Sequence, residues 1–202
     1  DLVKNEHDIY MIANSELDYY THNNGVENNK EFVDFINKID ETVNSLCQIF
    51  LKFNNNGKIF LFSPHGMLKV DKKINVEKII NRHIKSNKNT YFIDSTSFRI
   101  WGSDLKFIWD SLNQYDELKS NGKFIWSFNL YKNYKGSKHL IWLANTNNIC
   151  FPDFFRRTIP PKGMHGYSDL KVQNGFVISN SILNKKEYLI KEMGKLVNES
   201  LN

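Results

Sequence analysis

Lys58-Ile59-Phe60-Leu61-Phe62-Ser63-Pro64-His65-Gly66-Met67 decides how the rest of the chain is read. Its first six residues form an apolar run of strand length without alternation, the pattern of a strand covered on both faces in a parallel sheet. In open α/β sheets chemistry gathers beyond the carboxyl ends of such strands, and His65 stands just past the end of this one. A second His-Gly phrase, Lys162-Gly163-Met164-His165-Gly166-Tyr167, follows a pair of prolines, and Leu17-Asp18-Tyr19-Tyr20-Thr21-His22 precedes both. The three phrases offer Asp18, His22, His65 and His165, an Asp/His set suited to a hard-to-borderline divalent metal.

Outward from that strand the pattern predicts alternating strands and helices. Asp8 to Asn14 reads as a short apolar strand and Ser15 to Gly25 as a loop carrying Asp18 and His22. From Asn28 to Phe53 apolar residues recur at the three-and-four spacing of an amphipathic helix, which Asn54-Asn55-Asn56-Gly57 ends. A helix over about 75–85 and a strand at Thr90 to Asp94 follow, and the exit Ser95 to Trp101 sets Arg99 as a buried cation between aromatics. After a helix from Asp104 to Leu118, the aromatic-rich strands Phe124 to Leu130 and His139 to Ala144 read as a small antiparallel insertion. Phe151 to Tyr167 is a long proline-containing loop, Gly175 to Ser179 a last strand and Lys185 to Val197 a closing helix. The fold class expected is α/β with a mainly parallel central sheet, one domain over residues 1–202.

The chain has 202 residues, 41% of them apolar and 14% aromatic, enough for a core of its own. Its formal charge of +5 comes from lysines scattered through Asn-rich loops such as Lys85-Ser86-Asn87-Lys88-Asn89, not from a stripe on one element, which argues against nucleic-acid binding. No apolar run approaches the ~20 residues that cross a bilayer, so no membrane partner is expected. Cys47 and Cys150 lie outside any zinc-ribbon or redox spacing, and Cys47 reads as a buried free thiol. His7, His83 and His139 read as structural, as do the aromatics Trp126, Tyr131, Tyr134 and Trp142.

The order Leu-Asp-x-x-x-His, amphipathic helix, strand ending in Ser-x-His-Gly-Met and late Gly-x-His-Gly-Tyr resembles the alkaline phosphatase superfamily, most closely the type I phosphodiesterases and nucleotide pyrophosphatases. Phe92-Ile93-Asp94-Ser95-Thr96-Ser97-Phe98-Arg99-Ile100-Trp101 is similar to a stretch of some microbial members. The resemblance spans about Asp8 to Ser179. It implies an α/β/α sandwich and a hydrolase with two divalent ions, usually zinc, flanking a threonine or serine nucleophile. One ion would be held by Asp18, His22 and His165. The other would keep only His65, because Pro64 stands where the family phrase has an Asp, and a pyrrolidine ring has no ligand atom to offer. The family nucleophile lies well upstream of the Asp-x-x-x-His phrase, so no catalytic nucleophile is assigned in this chain. It is read as the C-terminal half of such a domain, completed by an N-terminal segment. The implied substrate is a small phosphate or sulfate ester, with Arg99, or less directly Arg156 or Arg157, on its oxygens. The competing expectation is a degenerate relative, missing one carboxylate, that binds or scaffolds without catalysis.

Overall fold

The computed structural model describes residues 9–84, 88–127 and 138–200. The chain divides into two compact units, one of Asp1–Leu17, Glu27–Gly66 and Asn174–Asn202, the other of Asp18–Val26 and Met67–Gln173. The fold class is α/β, as expected. His7, Tyr131 and Tyr134, and Asp8, Lys85 and residues 128–130 of the expected segments, lie outside the described residues, whereas residues 9–14, expected as a strand, are described and form none.

The second unit carries the main core. Its elements are the larger part of α1 (Glu16–Asn24), β2 (Leu68–Lys69), β3 (Lys72–Ile74), α3 (Val76–Ile80), β4 (Asn89–Ile93), β5 (Ser97–Gly102), α4 (Leu105–Leu112), α5 (Asp116–Asn121), β6 (Gly122–Trp126), β7 (His139–Ala144), β8 (Asn148–Cys150) and β9 (Gly163–Met164). The largest sheet has four strands in the order β4-β5-β7-β6, all antiparallel. β2 pairs β9 antiparallel and β3 pairs β8 in parallel.

The expectation of a mainly parallel sheet therefore gives way, among the described residues, to one parallel pair beside antiparallel ones. The reason is local. Only Asp94, Ser95 and Thr96 separate β4 from β5, and the Asp94 amide donates to the Ser97 carbonyl at 2.8 Å. So short a link closes a hairpin, whereas a parallel crossover takes a dozen residues or more. The antiparallel pairing expected of the aromatic-rich strands is what β6 and β7 form.

The hairpin sheet packs Ile93, Phe98, Ile100, Leu140 and Trp142 against Ile108 and Leu112 of α4 and Leu118 of α5. Trp142 is fully buried, stacks on Phe98 with ring centroids 5.3 Å apart, and donates its Nε1–H to the Leu118 carbonyl at 3.1 Å. It is a core residue, and Trp126 packs partly buried against the same cluster. The helix expected over Asp104–Leu118 is interrupted where Asn113 ends α4.

The first unit holds α2 (Lys30–Phe53), β1 (Phe60–Ser63), β10 (Phe176–Ser179) and α6 (Met193–Glu199). The Asn29 side chain accepts from the Phe32 amide at 2.9 Å as the N-cap, so α2 begins at Lys30, two residues later than the periodicity alone suggests. β1 pairs β10 antiparallel, from Phe60 opposite Ser179 to Ser63 opposite Phe176. Asn180 ties the entry of this pair, accepting from the Ile59 amide and donating to the Gly57 carbonyl.

This unit buries little. α2 runs 24 residues with its apolar side chains on one face, yet has no buried residue. Ile49 is 46% exposed, Phe53 54%, and Ile178 of β10 58%. Cys47 on α2 is half-buried rather than buried. The expected apolar stripe of α2 is thus partly covered, with Phe32, Ile39, Val43 and Phe50 half-buried and Leu46, Ile49 and Phe53 exposed.

Candidate metal centre

The segment expected as a loop at Ser15–Gly25 is the helix α1. It is polar on all sides, so periodicity does not reveal it. Asn14 caps it by accepting from the Glu16 amide at 2.8 Å, and Gly25, at φ +89°, ends it with its amide on the Thr21 carbonyl at 2.9 Å. A helix makes the Asp-x-x-x-His spacing useful, since residues at i and i+4 share a face. Asp18 and His22 face the same side, with His22 Nε2 3.6 Å from Asp18 Oδ2.

β9 brings in the third group. Its Gly163 sits against α1 so closely that an added Cβ would lie 2.5 Å from the Thr21 carbonyl oxygen, so glycine is the residue that allows the approach. The Gly163 carbonyl accepts from His22 Nδ1 at 2.8 Å, and the Lys162 amide donates to the His22 carbonyl at 2.8 Å. Just past β9, His165 sets Nε2 3.5 Å from Asp18 Oδ1, and its ring lies 5.2 Å from that of His22.

One donor atom from each of Asp18, His22 and His165 lies within 4.8 Å of the others. The two carboxylate-to-imidazole separations are long for strong hydrogen bonds. Each, ending on a different oxygen of Asp18, has the length of one donor–donor edge around a tetrahedral ion, roughly 3.3–3.6 Å for ligand bonds of ~2.0–2.2 Å. Asp18 Oδ1 is buried and has no hydrogen-bond partner among the described residues, a costly state for a carboxylate oxygen that a cation would relieve. With Nδ1–H of His22 committed to Gly163, its Nε2 carries the lone pair a metal needs. The last turn of α1, where His22 sits, has the partial negative charge that favours a cation. The residues present fit a divalent ion.

His65 does not belong to this cluster. It lies in the other unit, just beyond β1, where its Nδ1 is 3.1 Å from the Gly66 carbonyl and the His65 carbonyl accepts from Ser63 Oγ at 2.7 Å. β1 has one strand neighbour among the described residues, so His65 follows a strand of a two-stranded sheet, not a central parallel one. Pro64 beside it is exposed.

Arg99 is also not where the sequence suggests. It is exposed on β5, on the face opposite the buried Phe98 and Ile100, in register with Phe92 and Ile141. Alternation within the antiparallel sheet turns it outward. Arg157 pairs with Glu77 at 3.0 Å. Arg156 comes nearest the centre in the bonding network, donating from Nη1 to Asn23 Oδ1 at 3.1 Å, one residue past His22. That contact joins segments so distant in the chain that no spacing announces it. Tyr167, following the His-Gly turn, has a buried hydroxyl, and burial, then Asp71 and Cys150, hold it protonated far above the usual phenol range.

Comparison with known proteins agrees with the fold. The chain superposes on murine ectonucleotide pyrophosphatase / phosphodiesterase 5 with a TM-score of 0.65 at 15% identity, covering 91% of this chain and 52% of that one. An inactive form of the same murine protein in complex with AMP matches with a TM-score of 0.62 at 16% identity over 81% of this chain and 44% of that one. Phosphonoacetate hydrolase from Sinorhizobium meliloti 1021, in complex with phosphonoacetate, matches with a TM-score of 0.63 at 13% identity over 92% and 50%. The chain thus spans about half the length of these structures. No curated protein matches it. A model of the type I phosphodiesterase / nucleotide pyrophosphatase family matches residues 1–149, a stretch that carries the Asp-x-x-x-His helix and the Ser-x-His-Gly-Met phrase, and the chain belongs to that family.

Proposed function

We propose that the chain is the metal-binding half of a hydrolase of small phosphate esters, phosphodiesters foremost, in which Asp18, His22 and His165 hold one divalent ion. The observation that carries this reading is the meeting of Asp18 with two imidazoles, His22 Nε2 at 3.6 Å from Oδ2 and His165 Nε2 at 3.5 Å from Oδ1, a buried oxygen with no hydrogen-bond partner among the described residues. Two imidazoles and one carboxylate are borderline donors and favour zinc. Three protein ligands leave a position open, as in catalytic sites.

When bound, the ion supplies a Lewis acid for a phosphoryl oxygen and lowers the pKa of a coordinated water or hydroxyl. The chain's own groups do the rest. The Gly163 carbonyl holds the His22 ring by its Nδ1–H, and Asp18 contributes the anionic oxygen. Arg156, restrained by Asn23, is better situated than the outward-facing Arg99 to meet an anionic substrate oxygen. Small phosphorylated or phosphonate compounds are the natural ligand class, in keeping with the AMP and phosphonoacetate held by the two neighbours. Sulfate esters share the geometry and belong in the same assay.

The second ion of the family would have only His65 from this chain, with Pro64 in the carboxylate position. The nucleophile and the rest of the domain would come from an N-terminal segment, and the exposed apolar side chains Ile49 and Phe53 of α2, Phe62 of β1 and Ile178 of β10 support that completion. Pro64 favours one alternative, a relative that keeps one ion and binds phosphoryl ligands without turning them over.

Zinc titration calorimetry on the protein and its Asp18→Asn variant, together with turnover of bis(p-nitrophenyl) phosphate, tests the reading. One firmly bound ion that Asp18→Asn removes supports the site. Equal zinc binding by both proteins refutes it. Turnover of the phosphodiester separates hydrolase from binder.

A further inference from the structure

The hairpin turn between β4 and β5 is linked to both flanks of the Asp18–His22–His165 cluster, directly at Gly166 and through Asp153 and Arg156 at Asn23, without contributing a ligand. Ser95, Thr96 and Ser97 are all buried. The turn is pinned by backbone bonds from Cys150 to the Ser95 carbonyl at 2.8 Å and from Ala144 to the Thr96 carbonyl at 2.9 Å, so it moves only with the core sheet.

From this fixed point two arms extend. Thr96 Oγ1 donates to the Gly166 carbonyl at 2.9 Å, gripping the left-handed turn (Gly166 φ +84°) that follows His165. Ser95 Oγ donates to Asp153 Oδ2 at 2.7 Å. Asp153, with no exposed surface, turns its other oxygen to the amides of Phe155 and Arg156 at 2.8 and 2.6 Å. Arg156 then reaches Asn23 on α1, next to His22. One arm ends at the residue after His165, the other at the residue after His22.

We propose that the Ser95–Thr96 turn is a clasp that presets the metal centre, with Thr96 and Asp153 as positioning residues that hold the His165 turn and α1 at the separation one ion requires. The proposal rests on the reading of Asp18, His22 and His165 as ligands. Its physical content is preorganisation. Ligands carried by two separate segments share an ion tightly only if their supports fix them to within about 0.5 Å, and ordering them at the moment of binding would lower affinity. A valine at position 96 keeps the shape and leaves the Gly166 carbonyl without its donor.

The test uses Thr96→Val, Thr96→Ser and Ser95→Ala in the 202-residue protein, with zinc affinity by calorimetry and metal-free hydrogen exchange of the Tyr167 amide, which is bonded to Gln173 Oε1 at 2.8 Å. Thr96→Val is expected to weaken zinc binding about tenfold, the lower end of the effect of outer-shell partners, and to speed Tyr167 exchange. Thr96→Ser, which keeps the hydroxyl, restores both, a rescue that mere core filling would not produce. Ser95→Ala loosens the other arm and weakens zinc binding with Tyr167 exchange unchanged, and it carries the test if Thr96→Val does not fold. Native zinc affinity in Thr96→Val or Ser95→Ala, while Asp18→Asn abolishes binding, overturns the clasp and leaves the metal site standing. Zinc binding that ignores Asp18→Asn overturns both.

Discussion

Pro64 is the residue at which this chain departs most consequentially from its family's Ser-Asp-His-Gly-Met phrase. With no carboxylate there, the ion that His65 would help hold lacks an anionic ligand and exchanges readily. In a protein that joins this chain to a segment supplying the proposed first half of the domain, zinc content by mass spectrometry is expected near one ion per chain. Pro64→Asp should raise it toward two and lift phosphodiester turnover by at least about tenfold, the scale on which lost ligand support is felt. Two tightly held ions and efficient turnover in the unsubstituted protein would show that another group serves in place of the carboxylate. A second residue-scale prediction concerns Cys150, which is fully buried; burial first, then Asp153 and Asp94, push its thiol pKa far above the ordinary 9.0. The sign is fixed by linkage: above pH 9 the unfolded thiol loses its proton while the folded one keeps it, so stability falls as pH rises. Denaturant melts of the protein and of Cys150→Ala between pH 9 and 11 should differ in slope by about 1.4 kcal/mol per pH unit, and parallel slopes would refute the burial argument. At this scale Asp18, His22 and His165 were legible because each stands in a short phrase of recognisable chemistry. Arg99 was misread because the outward side of a β-residue depends on which strands pair beside it. Thr96, Asp153 and Arg156 act through contacts between distant segments, which no spacing encodes.

Among elements, β9 and α1 show how backbone contact alone can tune a site. Gly163 lies where a Cβ would meet the Thr21 carbonyl oxygen at 2.5 Å, and its own carbonyl holds His22. Gly163→Ala must push β9 from α1 and lengthen the His22 bond. Zinc affinity is expected to drop between about 10- and 100-fold, read by calorimetry, while the β4-β5-β7-β6 sheet, whose ladder pairs neither β9 nor α1, keeps its circular dichroism. Unchanged affinity would mean that α1 yields without disturbing the ring. The long helix α2 was readable almost to the residue, since its 24 positions carry a sustained apolar stripe and Asn29 caps it. α1 was not, because a helix with no apolar face leaves no periodic trace and is recognised only by its caps. The antiparallel hairpin was missed for a related reason: Ser95, Thr96 and Ser97 look like a loop, yet their side chains are buried as a turn and the start of β5.

At the scale of the whole molecule, the sequence made the α/β class plain, but where the apolar run Phe60–Ser63 finds its neighbours cannot be read from the run itself. In the structure it has one, β10, and a two-stranded pair with little buried area is marginal alone in water. α2 adds an amphipathic face with no buried residue, Ile178 of β10 is more than half exposed, and the chain spans about half the length of its structural neighbours. An N-terminal segment that adds strands beside β1 or β10 and covers α2 would satisfy all of these features. The prediction is a context-dependent mutational cost. Ile49→Lys and Ile178→Lys in the 202-residue chain should change stability by no more than about 0.5 kcal/mol, as exposed substitutions do, and should reduce binding of an apolar dye. In a protein that joins the chain to such a segment the same substitutions should each cost about 1.5–3 kcal/mol, the value of burying a large aliphatic side chain, measured by urea denaturation. Equal costs in the two proteins would mean that the segment packs elsewhere and that this face remains open to water.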